Sequence, residues 1–212
     1  MYEPPFHRVD DLEKLHALIR ERVFGLLISN GAEGLVANSV PFILEPAASR
    51  LGTLQAHIAR ANPHWRDLQR APDVLVVFQG HDHYITPSWY ATKRETGKVV
   101  PTWNYVMVQA KGRAKVMDDD ALIARQVEAL TKAQESRREK PWAVGDAPAD
   151  FIAMQRKAIV GIEIEIADIR GKWKTSQNRP AADRAGVVAG LEALGDEKAR
   201  GMAAIVKETG RD

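Results

Sequence analysis

Three short segments of the sequence combine side chains that could bind an anion or a flat ring. The first, His57–Pro63, places an imidazole before the guanidinium of Arg60, and an Asn-Pro turn follows at Asn62 and Pro63. An arginine fork and the free backbone N–H groups at a helix start are favourable donors to a phosphate. A solvated Arg60 followed by an ordinary chain turn is the alternative, and the spacing alone does not separate the two.

The second segment places large aromatic side chains on one face of a predicted strand. Trp103 and Tyr105 lie opposite a face of small, mostly apolar residues, and Trp89 and Tyr90 are close in the chain. Such a face fits a flat ligand or a dimer partner. An ordinary aromatic cluster beneath a predicted Ser88–Thr102 loop is the alternative.

The third segment, Lys172–Arg179, follows the last strong strand pattern. Its lysines, arginine, hydroxyls and amides predict a second anion or ring-edge site. A basic strand exit exposed to water is the alternative. Because all three segments lie at strand ends or on one strand face, together they favour ligand binding more than each does alone.

Other common sites have no signature in this chain. The sequence contains no cysteine, which excludes disulfides, thiol nucleophiles and Cys-ligated zinc. We find no phosphate-binding glycine loop, no dinucleotide fingerprint and no hydrolase elbow. His81 and His83 could share a strand face as metal ligands, but no third ligand is signalled, so we expect a surface turn and no metal.

Composition and charge set the broad class. Of 212 residues, 45% are hydrophobic, which is enough for a sizeable core, and the formal net charge of +2 is a poor start for a nucleic-acid binder. The first residues, Met1–Asp11, hold no apolar stretch typical of a signal peptide, and no apolar run is long enough to span a bilayer. We therefore expect a cytoplasmic protein without a membrane association.

Hydrophobic periodicity predicts mostly strands with helices between them. We expect helices at 12–22, 65–70, 118–135 and 148–154, and strands at 23–29, 34–44, 51–57, 73–79, 83–86, 103–117 and 159–169. Mostly short connections without regular βα alternation favour an antiparallel barrel. After Pro180 we expect two weak helical stretches, because Gly186, Gly190 and Gly201 each cost about 1 kcal/mol in a helix interior.

These segments resemble the PaiB family of FMN-binding negative transcriptional regulators. The similarity runs from Met1 to about Leu191 and includes the segments His57–Trp65, Tyr84–Lys93, Val100–Tyr105 and Lys172–Arg179. The resemblance implies a mainly β fold with peripheral helices (α+β), an antiparallel FMN-binding split β-barrel of Greek-key type with C-terminal helices. It also implies a homodimer with FMN held between the subunits. We accordingly expect a split-barrel domain over residues 1–179 and a C-terminal helical extension over 180–212.

The resemblance also implies which residues bind the FMN cofactor. His57, Arg60 and Asn62 would lie near the phosphate. The isoalloxazine would be lined by Asn38, Ser39 and Val40. The site would be closed by Trp103, Asn104, Tyr105, Lys174, Ser176, Gln177 and Asn178, some of them from the partner subunit. The chain departs from the family pattern at Ser39, where His is frequent, and at Thr175, where Leu is usual; the first change bears on flavin affinity or chemistry.

Two kinds of function follow from this resemblance. The family name implies negative transcriptional regulation, but we find no helix-turn-helix signature, and the segment after Arg179 is charge-balanced. DNA could still contact a basic set of Lys111, Arg113, Lys115, Arg137, Arg138 and Lys140. The alternative is a flavin-dependent oxidoreductase, or a flavin- or heme-binding sensor, acting on a small molecule. The sequence singles out no catalytic residue, and flavin chemistry requires little from the protein beyond orientation and electrostatics.

Overall fold

The structure, a computed structural model, describes residues 1–210. The last two residues of the expected C-terminal extension, Arg211 and Asp212, lie outside the described residues. The strands in the described range are β1 (Arg8–Val9), β2 (Phe24–Gly31), β3 (Gly34–Pro41), β4 (Ile43–Glu45), β5 (Thr53–Ala59), β6 (Asp73–Ile85), β7 (Thr102–Met117) and β8 (Ile159–Lys174). The helices are α1 (Leu12–Glu21), α2 (His64–Arg70), α3 (Ala91–Thr96), α4 (Asp120–Glu135), α5 (Ala149–Lys157), α6 (Ala181–Leu194) and α7 (Glu197–Thr209).

The strands form one antiparallel sheet in the order β3-β2-β6-β7-β8-β5-β4, with β1 beside β8. The β2–β3 hairpin pairs from Phe24↔Pro41 to Gly31↔Gly34, and β5 pairs with β8 from Thr53↔Glu165 to Ala59↔Ile159. The expected class, mainly β with peripheral helices and antiparallel pairing, is confirmed.

The side-chain alternation predicted for β7 is present in the structure. Residues at even positions from Asn104 to Ala114 are buried, whereas Trp103, Lys111 and Arg113 are exposed. A strand with this period places one face in the core and leaves the other available to ligands or partners.

Three local expectations are wrong. Residues 73–79 and 83–86 do not form separate strands but one continuous strand, β6. The expected long loop after Ser88 contains helix α3, which a left-handed Gly97 terminates. The last strand does not end at residue 169 but extends to Lys174. Strand β1 pairs with this extension at Arg8↔Lys172 and Val9↔Gly171, and the local sequence pattern does not predict this distant pairing.

Two compact units divide the chain. The central unit contains Leu12–Phe78 and Gln109–Ile169. Its core includes Leu27, Val76 and Ile162, each with no exposed surface, and Phe42 packs edge-on against Phe78 with ring centroids 5.7 Å apart. The long strands β6, β7 and β8 each contribute residues to both units.

The terminal unit contains Met1–Asp11, Gln79–Val108 and the chain from Arg170 to its described end. Its own core packs α6 and α7 around Ile85 and Tyr90 and is completed by Val187, Leu191, Ala199, Met202, Ala203 and Val206. A Cβ at position 190 would lie 2.3 Å from the Trp89 indole, and one at position 186 would lie 1.9 Å from the Trp89 carbonyl oxygen. The glycines that weaken the helical pattern therefore permit close packing against Trp89, and this burial compensates for their low helix propensity.

The expected boundary at residues 179/180 stays a prediction. In the structure, residues on both sides of it belong to the terminal unit. Along residues 1–210, no helix is both long enough and apolar enough to cross a membrane.

Candidate functional site

The residues expected to bind the cofactor fall into two sets, one in each compact unit. The central unit holds Asn38, Ser39, Val40, His57, Arg60 and Asn62. The terminal unit holds Trp103, Asn104, Tyr105, Lys174, Ser176, Gln177 and Asn178. Each set is described within its own unit.

Arg60, at the end of β5, is held by other groups of the central unit. Its Nη1 donates to Asp118 Oδ2 at 3.0 Å, and its Nη2 donates to Asp118 Oδ1 and to the Ile159 carbonyl. Its Nε donates to the Lys157 carbonyl at 2.9 Å. The hydrogen bonds from Arg60 lower the pKa of Asp118, and those to Asp118 raise the pKa of Arg60.

This geometry restricts what Arg60 can offer to a ligand. A guanidinium has five N–H donors, and the four contacts above use all but one of them. A phosphate would have to displace Asp118 or accept from the remaining N–H group. The phosphate role of Arg60 stays a prediction, and the structure shows Arg60 engaged with other groups of the central unit.

His57 and Asn62 also have partners in the central unit. His57 Nδ1 lies 2.6 Å from Oε1 of the buried Gln126. Asn62 Oδ1 accepts from the His64 backbone N–H at 3.0 Å, so its side chain closes the turn that begins α2. The Asn-Pro turn expected to open a helix is confirmed.

A buried polar chain that the sequence analysis missed runs through His64. Its Nε2 lies 2.7 Å from Ser29 Oγ, and its Nδ1 lies 2.9 Å from Asn38 Nδ2. Asn62 Nδ2 approaches Asn38 Oδ1 at 3.4 Å, which turns the Asn38 amide nitrogen toward the ring. The ring proton is therefore on Nε2 and is donated to Ser29, so the imidazole does not act as a base toward that hydroxyl.

The environment of His64 keeps it neutral and fixes Asn38. His64 is 1% exposed, and burial lowers its pKa. In the sequence, the only sign of the hydrogen bonds of His64 is its position directly after the Asn-Pro turn.

Of the other residues expected on β3, Ser39 is exposed, whereas Val40 is 2% exposed and faces the core. Val40 could therefore contact a ligand only through its backbone.

In the terminal unit, Asn104 and Ser176 form a buried pair. Asn104 Nδ2 donates to Ser176 Oγ at 3.0 Å, and Ser176 Oγ lies 3.2 Å from Asn104 Oδ1. Ser176 has φ of 67°, which is uncommon for a residue with a side chain. Strained backbone that neighbouring contacts hold in place is frequent at ligand sites.

Gln177 holds the turn after β8 in place. Its Oε1 accepts from the Thr175 backbone N–H at 2.8 Å and lies 3.1 Å from His7 Nδ1. Its Nε2 donates to the Trp173 carbonyl. Because these contacts occupy both ends of the amide, Gln177 supports the turn more than it offers donors to a ligand.

Three cations converge near this turn without a carboxylate. Lys172, Lys174 and Arg179 make no ion pair with an acidic side chain anywhere in residues 1–210. Lys174 donates to Thr102 Oγ1, and its pKa is lowered by burial and by the charges of Lys172 and Arg179. Burial, with Lys172 and Lys174, also lowers the pKa of His7.

Aromatic rings hold two of these cations in place. The guanidinium carbon of Arg179 lies 4.6 Å from the centroid of the buried Tyr90 ring. Lys172 Nζ lies 5.2 Å from the Tyr105 ring and 5.4 Å from the Tyr2 ring. Lys172, Arg179, Thr102 and His7 were not among the expected site residues, although two of them lie in the Lys172–Arg179 motif.

The aromatic residues near the second motif separate into two groups. Trp89 and Tyr90 pack with the C-terminal helices, as an ordinary cluster would. Trp103 is 53% exposed, and its ring meets the Tyr84 ring edge-on at 5.9 Å. The exposed pair is therefore available to a flat ligand or a partner.

The donor chemistry of the terminal unit fits FMN in part. A pocket of about 120 Å³ is lined by Val100, Pro101, Thr102, Asn104, Lys174, Ser176, Asn178 and Arg179. Small-molecule sites commonly occupy about 300–1,000 Å³. The pocket therefore has room for one anionic group of FMN, and the remaining flavin requires further surface.

The His81–His83 segment lies within strand β6, so the expected surface turn is wrong, and the segment has structural contacts in the terminal unit. A Cβ at Gly201 would lie 2.3 Å from the His81 ring, Asp82 pairs with Lys198 at 2.8 Å, and His83 Nδ1 lies 2.7 Å from the Tyr84 carbonyl. Across residues 1–210, His, Asp and Glu side chains form no group of three that could hold a metal ion.

The exposed aromatic pair and the three cations without an ion pair in residues 1–210 are compatible with a ligand that carries a flat ring and an anionic group. Comparison with known proteins agrees. The family model described as "Putative FMN-binding domain" matches residues 1–168, and the chain belongs to this family. The family match confirms the expected FMN cofactor and split-barrel fold.

Individual relatives extend over nearly the whole chain. The protein is 37% identical to an uncharacterized Aspergillus fumigatus protein, covering 99% of this chain and 98% of the relative. It is 29% identical to the protease synthase and sporulation protein PAI 2 of Bacillus subtilis, covering 98% of this chain and 97% of that protein. The expected PaiB relationship is confirmed by this similarity.

A solved structure supports the fold. The flavocytochrome Anf3 of Azotobacter vinelandii superposes with a TM-score of 0.58 at 16% identity, covering 80% of this chain and 70% of that chain.

Proposed function

We propose that this FMN-binding protein is a cytoplasmic homodimer that acts as a negative transcriptional regulator of the PaiB type. The observation that carries flavin binding is the unpaired set of Lys172, Lys174 and Arg179 on the same unit as the exposed Trp103. The full-length similarity to the Bacillus subtilis sporulation protein supports the regulatory part.

Exposed apolar side chains support the homodimer. On the β2–β3 hairpin, Phe24, Leu26 and Leu35 are 65%, 38% and 81% exposed, and Trp103 is exposed on β7. Large exposed apolar surface commonly marks a protein interface. The small terminal pocket also needs additional surface to enclose a flavin, and a second subunit would supply it in the proposed arrangement with FMN between subunits.

DNA binding has a modest electrostatic basis. Lys111, Arg113 and Lys115 are exposed on one face of β7, and Arg137 and Lys140 are exposed after α4. Arg113 lies 3.9 Å from Asp73, and the formal net charge is only +2. Binding should therefore depend on a few phosphate contacts, with a log–log salt slope of about −0.9 per neutralised phosphate.

The test measures three properties of one preparation. When FMN is titrated into apo-protein, its fluorescence should be quenched saturably in the micromolar range. Light scattering should give the mass of a dimer. DNA should bind at low salt and dissociate as the salt concentration rises. Flavin reduction by NAD(P)H without DNA binding would replace the regulator with a flavin oxidoreductase. The absence of saturable flavin binding would remove the cofactor role.

A further inference from the structure

Most of the residues that line the terminal pocket have side chains that can donate hydrogen bonds to anions, and Val100 and Pro101 are the apolar exceptions. Lys174 and Arg179 supply charge, and Thr102, Ser176 and Asn178 supply hydroxyl or amide donors. Among residues 1–210, no carboxylate lines it. A volume of about 120 Å³ accommodates a compact group such as a phosphate and not a whole nucleotide.

The positive charges at and beside this pocket repel one another. Burial lowers the pKa of Lys174, and the charges of Lys172 and Arg179 lower it further, because no ion pair in residues 1–210 offsets their repulsion. A bound anion would relieve this repulsion and favour the charged form of Lys174.

Local contacts hold the two pocket cations in position. The Arg179 backbone N–H donates to the Ser176 carbonyl at 3.0 Å, which closes a turn after β8. Stacking on Tyr90 orients the Arg179 side chain, and the Thr102 hydroxyl orients Lys174. Ordering these side chains in advance reduces the entropy lost when a ligand binds.

We propose that Lys174 and Arg179, with Thr102 and Ser176, bind a phosphate monoester in this pocket. FMN is one source of that group, and a second phosphorylated ligand is the other. The FMN source rests on the proposed function, whereas the pocket itself rests on its own geometry. Arg60 is the weaker candidate, since Asp118 already neutralises it.

The experiment compares Arg179→Gln and Lys174→Gln with the control Lys98→Gln, which removes an exposed cation of the same unit. Calorimetric titrations use FMN, riboflavin and inorganic phosphate, and the phosphate is titrated into both the apo-protein and the FMN-loaded protein. Losing one charge-assisted hydrogen bond should weaken FMN by about tenfold or more and leave riboflavin almost unchanged. The control should match the unmodified protein for all probes.

The other outcomes separate the two sources. If FMN-loaded protein binds inorganic phosphate and Arg179→Gln abolishes this, the pocket takes a second phosphorylated ligand. If the protein binds no flavin, the proposed function fails, but phosphate binding lost in Arg179→Gln would still support the pocket. Equal effects on FMN and riboflavin, with no phosphate binding, would overturn it.

Two milder variants guard against misfolding. Arg179→Lys keeps the charge and should retain part of the FMN preference, whereas Thr102→Val removes one hydroxyl and should weaken FMN less than either cation variant does. Circular dichroism should give the same spectrum for every variant. If Arg179→Lys and Arg179→Gln both leave FMN affinity unchanged, and phosphate does not bind, the assignment is wrong.

Discussion

The Arg60 cluster of the central unit and the Lys174 pocket of the terminal unit have similar side chains in opposite electrostatic states. Arg60 donates to one carboxylate and two carbonyl groups of the same unit. Lys174 and Arg179 form no ion pair with a carboxylate in residues 1–210. The positive charge of the Arg60 cluster is neutralised by Asp118, whereas no carboxylate in residues 1–210 is ion-paired with the cations of the Lys174 pocket.

The difference indicates that a basic motif favours anion binding when its charge is not already neutralised within the fold. A phosphate at Arg60 must compete with Asp118, which is part of the same molecule and pre-positioned. A phosphate at Lys174 would displace no ion-paired carboxylate of residues 1–210, since Lys174 donates to the neutral Thr102 hydroxyl. Segments with similar donor chemistry can therefore support the structure of one unit and, in the proposed role, bind a ligand in the other.

The largest expected effect is the contrast between Arg60→Gln and Arg179→Gln in the preference for FMN over riboflavin. The Arg60 variant should change this preference by less than about threefold, and the Arg179 variant by about tenfold or more. Arg60→Gln should instead lower the unfolding midpoint, because two carbonyl groups and Asp118 lose their partner. Both quantities are measured by titration and thermal unfolding. A large loss of FMN preference in Arg60→Gln would restore Arg60 as the phosphate clamp.

A smaller effect tests the strained turn of the terminal unit. Ser176→Ala removes the partner of the fully buried Asn104 and should destabilise the fold by about 1–3 kcal/mol. Ser176→Gly loses the same hydrogen bonds but relieves the left-handed backbone, so it should be about 1 kcal/mol more stable than the Ala variant. Urea unfolding measures both. If the Gly variant is the less stable one, φ of 67° at Ser176 is not strained.

The smallest expected effect concerns the neutral His64 of the central unit. Burial lowers the pKa of His64 below 6.5 in the folded chain, so the unfolded chain binds the proton more readily. Stability should therefore be fully present above pH 6.5 and should fall as pH decreases toward the lowered pKa. Thermal unfolding on either side of pH 6.5 measures this dependence.

His64→Gln is the matched variant, because its amide can donate to one neighbour and accept from the other. It should show a weaker pH dependence than the unmodified protein. Burial also lowers the pKa of His7, so only the difference between the two proteins reports on His64. Identical pH profiles would show that His64 does not titrate differently on folding.

Features that depend on neighbouring residues in the chain could be predicted from the amino-acid order alone. The alternation of β7, the Asn62 turn before α2 and the acidic start of α4, where Asp119 accepts from the Leu122 backbone N–H, all follow from local patterns. The motifs also carried the resemblance that implied FMN and the split barrel, and the family match confirmed both.

Features that depend on residues far apart in sequence became visible only in the folded chain. Asp118 reaches Arg60 across 58 positions, and β1 extends β8 from the other end of the chain. Gly190 weakens its helix by local propensity, yet only a glycine lets α6 approach Trp89. The local sequence shows which hydrogen-bond donors are present. Long-range packing and charge determine whether another part of the fold already accepts from them.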